Sequence, residues 1–93
     1  MIRTFRDPEA DRIWRREHSP RYSTELQRAV YKKLSILHAA GALSDLRVPP
    51  GNRLEKLLGN REGQHSIRIN DQWQICFVWR DGDAYDVEIA DYH

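Results

Sequence analysis

The last three residues, Asp91, Tyr92 and His93, set a carboxylate, a phenol and an imidazole side by side where a β-patterned segment ends. An imidazole titrates near ~6.5 and so gives or takes a proton around neutrality. A tyrosine ring stacks on a nucleobase, and guanidinium groups neutralise phosphate. Arg47, Arg53, Lys56, Arg61 and Arg68 gather in the middle of the chain, whereas Asp81, Asp83, Asp86, Glu88 and Asp91 crowd its last segment. Such a set suits RNA binding. It also suits RNA cleavage, which needs a base for the 2′-hydroxyl proton, a cation for the charge on phosphate, and an acid for the leaving 5′-oxygen. The plain alternatives are a solvated chain end for Asp91, Tyr92 and His93, and surface pairing of Arg61 and Arg68 with Glu62 or Asp86.

Those residues must be held by one small domain spanning residues 1–93. Its 93 residues leave room for a single core. Hydrophobic residues make up 40% and charged residues 31%, as in a folded protein, and the formal net charge is only +1. Net charge therefore does not point to nucleic acid; its distribution does. The single cysteine, Cys76, sits in an apolar run and is expected to be a buried thiol. No targeting segment, lipidation signal or long apolar run is present, so a cytoplasmic protein without membrane attachment is expected. His18, His38, His65 and His93 are scattered and lack ligand spacing, and no nucleotide loop occurs, so neither metal nor cofactor is expected.

The pattern of apolar residues places the elements. "MIRTF" reads as a short first strand, and Asp7-Pro8 starts a helix over about Pro8 to Glu17. Leu26, Ala29, Val30, Leu34, Leu37 and Ala40 recur at helical spacing, with Thr24 and Gln27 as a capping box and Gly41 as a left-handed stop. Strands are expected at about Arg53–Leu57, Gln64–Asn70, Trp73–Trp79 and Ala84–Asp91, with Asp81-Gly82 as a hairpin turn. Odd positions (Ile67, Ile69, Trp73, Ile75, Phe77, Trp79, Tyr85, Val87, Ile89) form the core face. Ser66, Arg68, Gln74, Asp86, Glu88 and Tyr92 fall on the other. The expected fold is α+β, with helices on one face of an antiparallel sheet and the other face free.

"L-x-G-N-R-x-G-x-x-S-I" over Leu57–Ile67, "W-x-I-x-F" over Trp73–Phe77 and the closing "VEIADYH" occur in order along one chain. With "MIRTF" and the two helices, they make the sequence resemble HigB-type toxins, the plasmid maintenance killer proteins of the RelE superfamily. The resemblance implies a RelE-like fold with two N-terminal helices packed on one face of a small antiparallel-rich sheet and the other face open to RNA. It implies a toxin of a type II toxin–antitoxin module, a ribosome-dependent endoribonuclease that cuts mRNA in the A site without a metal. His93 would handle a proton, Tyr92 would stack on or orient the substrate, and Asp91 would hold the geometry. Arg53, Lys56, Arg61, Arg68 and Gln74 would bind RNA. The implied partners are a helix-turn-helix antitoxin, the 70S ribosome with its mRNA, and operator DNA through the antitoxin.

The sequence departs from several relatives in three places. Glu55 stands where they have a histidine, Leu58 replaces a lysine, and Gln74 stands where arginine is frequent. Glu55 then becomes a second candidate base. With fewer cations at the site, a non-catalytic ribosome- or RNA-binding inhibitor of the same fold is the alternative, and a component that mainly tunes transcription is a third.

Overall fold

A computed structural model describes residues 1–92; His93 lies outside the described residues. Helix α1 covers Pro8–Trp14. Asp7 caps it by accepting the Glu9 N–H at 2.9 Å, and Pro8 fills the first turn, where its missing N–H costs nothing. The helix stops short of the expected Glu17 because Arg16 takes a left-handed conformation (φ 64°) that cannot propagate it. The Arg16 guanidinium sits instead 3.7 Å above the Tyr31 ring.

Helix α2 covers Thr24–Ala39, and its cap is Ser23, not Thr24: the Ser23 hydroxyl accepts the Leu26 N–H at 3.1 Å. Gln27 closes no capping box. Its amide instead clamps the incoming loop, accepting from the Ser19 N–H and donating to the carbonyls of Ser19 and Tyr22. Nor does Gly41 turn left-handed, because Ala40 leaves the helix extended and the Gly41 and Ala42 N–H groups are taken by the Asp45 carboxylate, each at 3.0 Å.

The sheet is β1 (Glu55–Lys56), β2 (His65–Arg68), β3 (Trp73–Arg80) and β4 (Asp83–Asp91), in sequential order with every pair antiparallel. Asp81 and Gly82 both have positive φ, as the two-residue turn joining β3 to β4 requires. The expected first strand forms only isolated parallel bridges to β4, Ile2 with Ala84 and Phe5 with Val87. Between them Asp86 is left-handed (φ 52°) and gives its N–H to the Thr4 hydroxyl. This bulge interrupts the ladder and shifts the register between Cys76 and Val78. It reverses the facing of β4 before the bulge: Ala84 is fully buried where Tyr85 was expected, Tyr85 pairs with Val78 on the other face with Arg80 stacked on its ring, and Val87 keeps its expected buried place.

Val30, Leu34 and Leu37 of α2 and Ala10 and Ile13 of α1 meet Ile67, Ile75, Phe77 and Val87 in one core. Each fully buried large side chain there contributes about 1.5–3 kcal/mol. The helices therefore cover one sheet face, giving the α+β architecture.

The opposite face is less open than its polar pattern suggests. Ser66, Cys76, Gln74 and Ala90 lie on it by register and are all buried. The connection from β1 to β2, residues 57–64, lies across this face, for it carries Arg61 to Glu88 on the far strand β4. Beyond that strap, among the described residues, one corner of the face stays open around Arg68 and Tyr92.

Candidate active site

That corner is a groove lined by Arg53, Glu55, Arg68, Asp71 and Tyr92. Arg68, Gln74 and Ala90 form one cross-strand row, and Tyr92, two residues past Ala90, projects to the same side. The Tyr92 N–H donates to the Gln72 carbonyl at 2.8 Å, which holds the residue against the β2–β3 turn after its strand has ended. The residue is 38% exposed, which leaves it available for stacking. Burial, and next the Glu55 carboxylate, raise the Tyr92 phenol above its ordinary pKa; Arg68 and Arg53 oppose them. At neutral pH this hydroxyl is protonated and so can donate a hydrogen bond to a substrate.

Arg53 reaches the groove from a different kind of support. It is left-handed (φ 44°) and ends a short 3-10 turn over Pro50–Asn52. The buried Asn52 builds that turn: its amide donates to the carbonyls of Leu46 and Val48, each at 3.2 Å, and its oxygen accepts from Lys33 Nζ of α2 at 2.6 Å. Arg68 is held by Asp71, three residues on in the β2–β3 turn. In that turn the Asn70 side chain accepts the N–H groups of Gln72 and Trp73. Two guanidinium groups, two carboxylates and a phenol thus surround one opening, a set that can bind phosphate, stack a base and accept a proton.

The other expected residues divide. Asp91 is the register partner of Trp73 and so leaves β4 on the opposite side of the pleat from Tyr92; its carboxylate accepts from Gln72 Nε2 at 3.1 Å. Gln74 is buried beside Arg68 and does not line the groove. Arg61 sits over the other end of the same face. It is paired with Glu88, not with Glu62 or Asp86 as in the plain alternative, and donates to Gln64 at 3.2 Å. Arg68 pairs with Asp71, likewise neither Glu62 nor Asp86.

Lys56 is not brought to the groove. It pairs with His65 and shares with it a hollow bounded by Leu43, Ser44, Arg47 and Leu54. His93 lies outside the described residues. Asp71, Asn52 and Lys33 belong to the site's surroundings without having been expected. The Asn70-Asp71 pair between two β-patterned runs was a turn signal that could have marked the first of them.

Residues 3–93 match the family described as the RelE-like toxin of the type II toxin–antitoxin system HigB. The chain belongs to the HigB-like toxin family. It is similar to Toxin HigB-1 of Vibrio cholerae, 52% identical over 61 residues, which cover 66% of this chain and 64% of that one. It also resembles Endoribonuclease HigB of Proteus vulgaris, 44% identical over 41 residues, covering 44% and 45% of the two chains. The match thus spans less than two thirds of the length of either relative. In three dimensions the HigB-like chain resembles a mutant of YafQ from E. coli, with a TM-score of 0.63, 9% identity, and 99% and 94% of the two chains covered. It also resembles one chain of the heterotetrameric YoeB–YefM toxin–antitoxin complex from Staphylococcus aureus, with a TM-score of 0.62, 18% identity, and 100% and 98% of the two chains covered. At such identities these likenesses speak for the fold, which is RelE-like. Among the described residues no helix is long and apolar enough to cross a membrane.

Proposed function

We propose that this HigB-like toxin is an endoribonuclease that cuts mRNA in the ribosomal A site and is silenced by a helix-turn-helix antitoxin. The observation that carries the reading is the convergence of Tyr92, Arg53 and Arg68 on one open corner of the sheet face opposite the helices. In this reading Tyr92 stacks on or hydrogen-bonds the substrate, and Arg53 and Arg68 hold the scissile phosphate. Glu55 or His93 takes the 2′-hydroxyl proton. The 2′-oxygen then attacks phosphorus, the bond to the 5′-oxygen breaks, and an acid, His93 in this assignment, protonates the leaving oxygen. The products are a 2′,3′-cyclic phosphate and a free 5′-hydroxyl. Asp91, anchored by Gln72, keeps the end of β4 in place.

A groove that mixes two carboxylates with two guanidiniums attracts phosphate only modestly, which fits a protein that relies on the ribosome to present its substrate. The same mixture favours, as a second reading, an inhibitor that binds without cutting. Expressing the chain alone and mapping mRNA 5′ ends decides between them. New codon-associated ends that vanish in His93→Ala, with folding intact, are expected; growth arrest without new ends would replace the nuclease by the binder.

A further inference from the structure

Lys33 does not line the groove itself; its part so far is to brace the Asn52 turn that ends in Arg53. From α2 it reaches the turn that ends in Arg53, placing its ammonium 2.6 Å from the Asn52 side-chain oxygen. The residue is half-buried. Burial, and the neighbouring cations Lys32 and Arg68, hold its ammonium below the usual lysine range. Among the described residues no carboxylate lies within ion-pair distance of Lys33 or of Arg53. Arg68 has one, but Asp71 is itself wholly exposed. Three cations from a helix, a 3-10 turn and a strand are thus linked: Asn52 joins Lys33 to the residue before Arg53, and the charge of Arg68 acts on Lys33. Arg68 repels the Lys33 ammonium, and the neutral amide of Asn52 relieves little of that cost. An anion seated among them would relieve more.

We propose that Lys33 binds an RNA backbone phosphate adjoining the one held by Arg53 and Arg68, so that the strand leaves the groove over α2. This rests on the reading of the groove as an RNA site. It assigns to α2, otherwise a core helix, the job of fixing the direction in which RNA runs. The phosphate belongs either to the mRNA or to ribosomal RNA lying beside it; the chemistry of recognition is the same.

The test compares the full-length wild-type chain with Lys33→Gln and Lys33→Arg. Binding is followed with uncleavable 2′-O-methyl oligonucleotides bearing one or three phosphates, and cleavage with programmed ribosomes. Lys33→Gln should weaken three-phosphate binding about five- to tenfold, spare the one-phosphate ligand, and flatten the salt dependence by roughly 0.7 in log–log slope. Lys33→Arg should behave as wild type. The same deficit confined to the ribosomal assay assigns the phosphate to ribosomal RNA. Should Lys33→Gln not fold, lysine acetylation of the wild-type chain replaces it, with bound RNA or ribosome expected to protect Lys33 more than Lys32. Equal performance of Lys33→Gln in both assays, or equal acetylation with and without RNA, overturns the proposal. Arg68→Ala and Tyr92→Ala, read alongside, report separately on the groove itself, because their indifference would sink the parent reading whatever Lys33 does.

Discussion

Arg61 and Glu88 are joined across the full width of the sheet, one in the β1–β2 connection and the other on β4. The hydrogen bond to Glu88 is the main reason the Arg61 guanidinium binds its proton more tightly than usual. Beneath the pair lie Ser66 and Cys76, both buried. A strap over a sheet face is stable only if something fastens its free side, and this ion pair is the fastening. Arg61 is partly exposed, so solvent screens the pair. A double-mutant cycle over Arg61→Met and Glu88→Gln should give a coupling of about 0.5–1.5 kcal/mol in urea unfolding. Each single variant should also raise amide exchange in residues 57–64; coupling near zero with unchanged exchange would mean that the strap is held by other contacts.

The thiol under the strap makes a prediction about alkaline pH. Burial is the main cause that pushes Cys76 up from 9.0 to about 11. In the fold it keeps its proton more tightly than in the unfolded chain. Stability is therefore full below pH 9 and falls as pH rises from 9 toward 11. The loss should amount to roughly 2–3 kcal/mol at the top of that window. Cys76→Ala should show a shallower fall between about pH 8.5 and 11 in urea titrations, although it begins less stable because of the cavity. Parallel curves for the two proteins would refute a buried thiol.

His65 makes the opposite prediction on the acid side. Burial, then Lys56, hold its pKa below the ordinary value, and among the described residues its buried Nδ1 has no hydrogen-bond partner. A depressed histidine contributes stability above its unfolded pKa and loses it as pH falls through about 6.5 toward the folded value. Its ring already stacks on Phe77 at 6.2 Å. His65→Phe should keep that contact, remove the unsatisfied nitrogen, and gain about 0.5–1.5 kcal/mol near pH ~5.5 with less gain near pH ~8. Thermal unfolding at the two pH values measures it, and a loss at both would show that the imidazole has a polar role.

In the groove, the contrast between ring and hydroxyl can be read separately. Tyr92→Phe keeps the stacking surface, whereas Tyr92→Ala loses both. Cleavage should drop about tenfold in the first and about a hundredfold in the second. Because the phenol's pKa is raised, the wild-type rate should show no titration of this group between about pH 7 and 9. Equal rates in Tyr92→Phe and wild type would confine Tyr92 to stacking.

Much of this was written in local pattern. Helical spacing from Leu26 to Leu37 marked the core helix, alternation from Ile67 to Val87 marked the sheet, and Asp81-Gly82 marked its hairpin, because each is enforced by neighbours within a few residues. Tyr92 on the Arg68 side followed from the same period of two. Local pattern could not show that Asp86 turns left-handed against Thr4, a residue 82 positions away, and so exchanges Tyr85 for Ala84 at the core. It could not show that Arg61 spans the sheet to Glu88, that Lys56 turns away from the groove, or that Asn52 and Lys33 set the turn that presents Arg53. Those outcomes depend on long-range pairing of charge and hydrogen bonds, whose partners are chosen only once the chain has closed on itself.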